Sequence, residues 1–136
     1  MRIIEMYHNR PFVFSIEVFP PKTEDGMTNL QKKLRAFSAF KPDYISVTYG
    51  AGGGTRQNTQ YLAGFIGNEL GIEVLAHLTC VSHTRKDVSL LKEQFLSEGV
   101  ENIMALRGDP PNTEKKFKPM PGGYRYASEL IEDLSR

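Results

Sequence analysis

Residues 73–109 read EVLAHLTCVSHTRKDVSLLKEQFLSEGVENIMALRGD. Glu73 to Val81 is a run of apolar and β-branched residues that predicts a strand. Thr84 and Asp87 then stand at the spacing of a capping box, so a helix is expected from about Thr84. Leu91 and Phe95 fall on one side of it, and Gly99 is placed to close it. Asn102 to Asp109 predicts the next strand. Strands that alternate with helices at this spacing form parallel β/α units with right-handed crossovers.

The same unit recurs outward in both directions. FVFSIEVF (Phe12 to Phe19) is a strand stopped by Pro20 and Pro21. Leu30, Leu34 and Phe37 follow at helical spacing. YISVTYG (Tyr44 to Gly50) leads through a glycine loop into a helical stretch with Leu62, Phe65, Ile66 and Leu70, ended by Gly71. After Asp109 a long loop precedes a last helix through Leu130, Ile131 and Leu134. A closed (β/α)8 barrel takes eight such rounds and roughly 250 residues. The expected class is therefore α/β: four β/α units of a parallel (β/α)8 TIM-type barrel, about half a barrel, with a small open α/β sheet as the alternative. Residues 1–136 are expected to form a single domain.

Composition narrows the partners. The chain of 136 residues carries a formal net charge of +1, which gives no reason to expect nucleic acid or a membrane surface. Lys115, Lys116 and Lys118 lie among Pro and Gly and read as a solvated loop rather than a phosphate patch. The one cysteine, Cys80, allows no internal disulfide and suits a reducing compartment. The opening residues MRIIEMYHNRPF contain no long apolar run and carry Glu5, so they read as neither a signal peptide nor a membrane anchor. The expected setting is cytoplasmic. Tyr7 and His8 read as surface or staple residues.

Side chains alternate faces along a strand, so parity sorts each strand into two sets. Phe12, Phe14, Ile16 and Val18 oppose Ser15 and Glu17. Ile45, Val47 and Tyr49 oppose Ser46 and Thr48. Val74, Ala76 and Leu78 oppose His77 and Thr79. On the fourth strand, Met104 and Leu106 are assigned to the apolar side, against Ala105, Arg107 and Asp109. The apolar side packs on helices, and the polar groups lie near the C-terminal strand ends, where barrel enzymes place their active sites. Glu17, Thr48, His77, Arg107 and Asp109 are thus expected to converge on one mouth.

At these strand ends a family becomes recognisable. SIEVFPPK (Ser15 to Lys22), VTYGAGG (Val47 to Gly53), AHLTC (Ala76 to Cys80), ALRGDPP (Ala105 to Pro111) and YASEL (Tyr126 to Leu130) occur in the order and spacing of methylenetetrahydrofolate reductase motifs. The chain resembles the N-terminal half of that family's flavin-binding barrel over nearly its whole length. The resemblance implies reduction of 5,10-methylenetetrahydrofolate to 5-methyltetrahydrofolate, with NADH or NADPH as reductant and hydride passing through FAD in a ping-pong scheme. It places this chemistry in one-carbon metabolism and methionine synthesis.

It also implies roles for residues. Glu17 matches the general acid that opens the bridged folate ring to an iminium, a task for a carboxyl that keeps its proton near neutral pH. Asp109 matches the aspartate between the flavin's pyrimidine ring and the pterin. Thr48 matches a residue near the nicotinamide. Tyr49, Ala51, His77, Arg107 and Gly108 match flavin contacts, although parity points Tyr49 outward. Tyr126 and Ala127 match residues at the cofactor's adenosine portion. Read without the family, Glu17 pairs with Arg107 or a lysine, Asp109 forms the turn before Pro110, and His77 is a satisfied core histidine.

Two other patterns carry less. His77, Cys80 and His83 lack the parity and spacing of a metal site on one strand, so no metal is expected. GAGGGT (Gly50 to Thr55) departs from G-x-G-x-x-G, and no Walker lysine follows. The loop reads as conformational freedom close to the flavin. The family's later strands, which hold the flavin phosphates and a folate-contacting glutamine, are not among these residues. Three arrangements stay open: a segment of a complete reductase; a truncated, non-catalytic half-barrel that closes its sheet against a second copy or a partner as a binding or structural module; or a small barrel-like enzyme of another kind that shares only the α/β core.

Overall fold

The computed structural model describes residues 1–50, 56–110 and 115–136, and of Arg56 only the backbone. A short helix α1 (Ile3–Asn9) precedes strand β1 (Ser15–Val18). Then come α2 (Glu24–Phe37), β2 (Tyr44–Val47), α3 (Arg56–Gly64), β3 (Glu73–Thr79), α4 (Arg85–Ser97), β4 (Asn102–Leu106) and α5 (Ala127–Leu134). A 3-10 turn (Ser38–Phe40) extends α2, and a π-helical turn (Phe65–Glu69) extends α3.

The strands form one parallel sheet in the order β1-β2-β3-β4. Each strand therefore pairs with the one that follows it in sequence, as in a barrel. A doubly wound sheet would reverse its order at a switch point. Ile16, Val18, Ile45, Val47, Val74, Ala76 and Ile103 share a core with Leu34, Leu62, Phe65, Ile66 and Phe95 of the helices. Each such fully buried Leu, Ile or Phe contributes roughly 2 kcal/mol by leaving water. The other sheet face carries Glu17, Ser46, His77 and Thr79, the inner face of the half-barrel.

The punctuation works as the sequence suggests. The Thr84 hydroxyl accepts from the Asp87 amide at 3.2 Å, while the Asp87 carboxylate accepts from the Thr84 amide at 2.8 Å. Helix α4 thus starts with two of its orphan amides paired. Gly99 adopts φ +79° just past its end, a conformation an L side chain rarely enters.

Four expectations need correction. Phe12 and Phe14 are exposed, because β1 begins only at Ser15, where β2 starts to pair. Phe37 is exposed and tilts against Phe40, since the helix turns into its 3-10 extension there. Ile131 is exposed too; Leu130 and Leu134 make the contacts of α5. On β4 the two faces are exchanged. His77 registers with Met104 and Leu78 with Ala105, so Met104 and Leu106 share the inner face, while Ile103 and Ala105 pack on the helices.

Helix α1 covers the N-terminal end of the sheet. Ile3 and Met6 pack on Tyr44, with Val13 and Leu75 beside them, and the Tyr7 and Tyr44 hydroxyls lie 2.9 Å apart. The Ile3 amide donates to the Asn102 side-chain oxygen at 2.9 Å, tying this helix to β4. With one end filled in this way, a ligand has the opposite rim. Among the described residues no helix is long and apolar enough to cross a membrane.

Candidate active site

The inner face presents its polar groups at stepped heights. Glu17 registers with Ser46, and its carboxylate accepts from the Ser46 hydroxyl at 3.3 Å. The same carboxylate oxygen lies 3.7 Å from Nε2 of His77, two strands away. Glu17 is half-exposed and opens to the mouth, whereas His77 is only 7% exposed. Its Nε2 has no hydrogen-bond partner among the described residues. Burial pushes the His77 imidazole below its ordinary pKa, and the Glu17 charge opposes that shift. A neutral, inward-facing imidazole is the result. Among the described residues Glu17 thus pairs with neither Arg107 nor a lysine.

Beyond this pair, Thr48, Tyr49, His77, Thr79, Val81, Leu106, Gly108 and Asp109 line a cavity of about 220 Å³. The Thr48 amide donates to the Val18 carbonyl at 3.0 Å, and its own carbonyl accepts from the Thr59 hydroxyl at 3.0 Å. These bonds fix the end of β2 after its last ladder residue. Gly108 turns back over β3 with φ +82°; a Cβ there would lie 2.7 Å from Val81 Cγ2 and 2.9 Å from Thr79 Cβ. Only glycine lets the chain pass so close and carry Asp109 to the rim. Tyr49 packs with the helix-side cluster, as parity indicates, and still reaches the cavity wall.

Arg107 is the residue that does not join them. It continues the helix-facing side of Ala105, and its guanidinium lies over the Phe117 ring, 5.1 Å from the centroid. The expected convergence on one mouth therefore holds for Glu17, Thr48, His77 and Asp109 but not for Arg107. Instead Arg107 lines a larger cavity of about 640 Å³ with Lys115, Lys116, Phe117, Arg125 and Tyr126. This second space brings together four cationic side chains and two aromatic rings, a set suited to phosphate and a flat heterocycle. Tyr126 is exposed at the N-terminus of α5, and Ala127 is the helix's first residue. Lys115 and Lys116, read from the sequence as a merely solvated run, are exposed and border this cavity. Ala51 and most of the glycine loop lie outside the described residues.

Sequence reasoning overlooked Ser46, the donor to Glu17, and Thr79, which shares the cavity with His77. Parity already placed both on the inner face; register between strands was the missing signal. It also passed over His83, whose Nε2 lies 2.7 Å from the Tyr49 hydroxyl. Among the described residues no group of three His, Cys, Asp or Glu is arranged to hold a metal ion.

Comparison with known proteins agrees on one family. The methylenetetrahydrofolate reductase family model matches residues 2–136. Over 121 residues the chain is 37% identical to methylenetetrahydrofolate reductase (NADH) 1 of Arabidopsis thaliana, covering 89% of this chain and 20% of the relative. It is 36% identical over 121 residues to methylenetetrahydrofolate reductase 2 of Saccharomyces cerevisiae, covering 88% and 20%. It is 35% identical over 118 residues to 5,10-methylenetetrahydrofolate reductase of Escherichia coli, covering 86% and 38%. The chain thus spans between a fifth and about two fifths of the length of these relatives.

Proposed function

Because this chain belongs to the methylenetetrahydrofolate reductase family, we propose that it supplies the acid-bearing half of a barrel that reduces 5,10-methylenetetrahydrofolate to 5-methyltetrahydrofolate. The observation that carries this reading is the Glu17 carboxyl at the rim, held by Ser46 and beside the buried His77. A half-exposed acid next to a neutral imidazole can deliver a proton to a substrate and then be stabilised as the carboxylate. The Ser46 O–H is in place for that second state, since it already points at the accepting oxygen.

The site fits FAD on features of its own. His77, whose Nε2 makes no hydrogen bond among the described residues, is one of the residues lining the smaller cavity, and its imidazole gives that wall a polar ring edge. The larger, cation-lined cavity suits a diphosphate and adenosine. Thr48, Tyr49, His77, Gly108 and Asp109 would hold the flavin ring; Arg107, Tyr126 and Ala127 would hold the adenosine end, and Ala51 belongs to this set by motif. When bound, FAD supplies hydride to the folate, having taken it from a nicotinamide dinucleotide in a separate step. The Arabidopsis relative is named for NADH, which makes NADH the first reductant to try.

In this reading Glu17 donates its proton to a folate ring nitrogen as the bond from that nitrogen to the bridging methylene breaks. The electron pair of the bond stays on the nitrogen, leaving a carbon–nitrogen cation that accepts hydride. Asp109 orients the pterin by accepting its N–H bonds. A reducing, cytoplasmic setting and a single domain over residues 1–136 complete the proposal.

The test uses the full-length protein that carries this chain. It is expected to purify yellow and, with NADH, to convert 5,10-methylenetetrahydrofolate to the 5-methyl product. A colourless protein that oxidises no nicotinamide in the presence of this folate would refute the reading.

A second reading attaches to β4, whose Met104 and Leu106 are part-exposed on the inner face. Here the half-barrel covers these residues by pairing its sheet with a second copy or a partner chain. Light scattering on the 136-residue chain checks it, with a dimer expected and a monomer against it.

A further inference from the structure

Tyr49 reaches the rim from the helix side, and the reason lies in the turn after β3. Its hydroxyl lies 2.7 Å from Nε2 of His83, and the two rings are 5.6 Å apart at 52°. His83 is 2% exposed. Ser82, just before it, adopts φ +57°, a left-handed conformation uncommon for serine. The turn accepts that conformation and delivers the imidazole inward.

The same turn is clasped from outside. Thr84 and Gly123 form an isolated antiparallel bridge, and the Arg85 amide donates to the Gly122 carbonyl at 2.9 Å. A Cβ on Gly123 would lie 2.4 Å from the His83 carbonyl oxygen, so only glycine lets the 120–124 segment close over it. Tyr124, fully buried, follows at once and joins the cluster that also packs Tyr49. Burying an imidazole is costly unless it is hydrogen-bonded, and the Tyr49 hydroxyl is one such partner for His83.

We propose that His83 is a positioning residue that acts through Tyr49, fixing its ring as the wall of the rim cavity against which the flavin lies. This rests on the flavin reading above. Its place in the 82–84 turn, clasped by residues 120–124, also links that wall to the segment leading to Tyr126. The adenosine end and the ring end of the site are thereby held to one frame.

The test compares Tyr49→Phe, His83→Leu, His83→Gln and the Tyr49→Phe/His83→Leu double variant in the full-length protein. Flavin affinity is read by fluorescence quenching, the bound flavin's visible spectrum is recorded, and thermal unfolding is followed in parallel. Losing one bond to the hydroxyl is expected to weaken flavin binding about tenfold in both Tyr49→Phe and His83→Leu. Both should shift the visible spectrum alike, and the double variant should be no worse than either. His83→Gln, whose amide reaches the place of Nε2, should restore most of the affinity. Equal flavin affinity in His83→Leu, His83→Gln and wild type, with only the melting temperature changed, would overturn the proposal and leave a packing role. Tyr49→Phe removes one oxygen and carries the test alone if His83→Leu does not fold; wild-type affinity and spectrum there would likewise overturn it. A wild-type protein that takes up no flavin would instead defeat the underlying reading, and this inference with it.

Discussion

Nε2 of His77 stands 3.7 Å from a carboxylate oxygen of Glu17, with β2 between their strands and its Ser46 hydroxyl on the same oxygen. The imidazole is buried, and burial holds its pKa below the ordinary 6.5. A group whose folded pKa is depressed contributes stability that is fully present above the unfolded pKa. That contribution is lost as pH falls through the folded pKa. Wild type should therefore lose more thermal stability between pH 7 and pH 5 than His77→Gln, which has no imidazole to protonate. Parallel melting curves for the two proteins across that range would speak against it.

Gly108 sets up a second prediction. Its φ of +82° and the 2.7 Å approach a Cβ would make to Val81 leave no room for alanine without moving β3's end. Gly108→Ala should cost about 2 kcal/mol or more, from strain and clash together. Urea unfolding measures this, and a loss within 0.5 kcal/mol, about the range of neutral surface changes, would show that the turn relaxes freely.

Glu98 makes the third. One oxygen of its carboxyl is buried beside Gly64 with no hydrogen-bond partner among the described residues, and burial raises its pKa. A raised folded pKa means stability that is full below the unfolded pKa and lost as pH rises through the folded one. Glu98→Gln, which cannot ionise, should gain up to about 1 kcal/mol at pH 7, reduced by the group's partial exposure. The gain should vanish near pH 4, and an equal difference at both pH values would assign it to some other cause.

What the sequence disclosed and what it hid follow one physical line. Local signals were readable: Pro20 and Pro21 after β1, Gly71 and Gly99 after helices, and the Thr84–Asp87 capping box each act within a few residues. Within the strands as they form, the apolar sets Ile16 and Val18, Ile45 and Val47, and Val74, Ala76 and Leu78 were equally clear, because Glu17, Ser46 and His77 stand between their members. On β4 both faces are apolar, so alternation gave no sign, and only the register of His77 with Met104 decides it. The misplacement of Arg107 descends from that one ambiguity. Helix α1 was invisible because its burial depends on Tyr44, Leu75 and Val13, which lie beyond it in sequence. His83 was invisible as a partner of Tyr49 for the same reason, the two being brought together by a crossover.

The central claim is that Glu17 protonates the folate, and the two half-reactions of the full-length protein separate that role from every other. In Glu17→Gln, reduction of bound flavin by NADH should proceed as in wild type. Reoxidation by 5,10-methylenetetrahydrofolate should slow by about 100-fold or more, the usual worth of a general acid. Folate reoxidation at the wild-type rate in that variant would contradict the account.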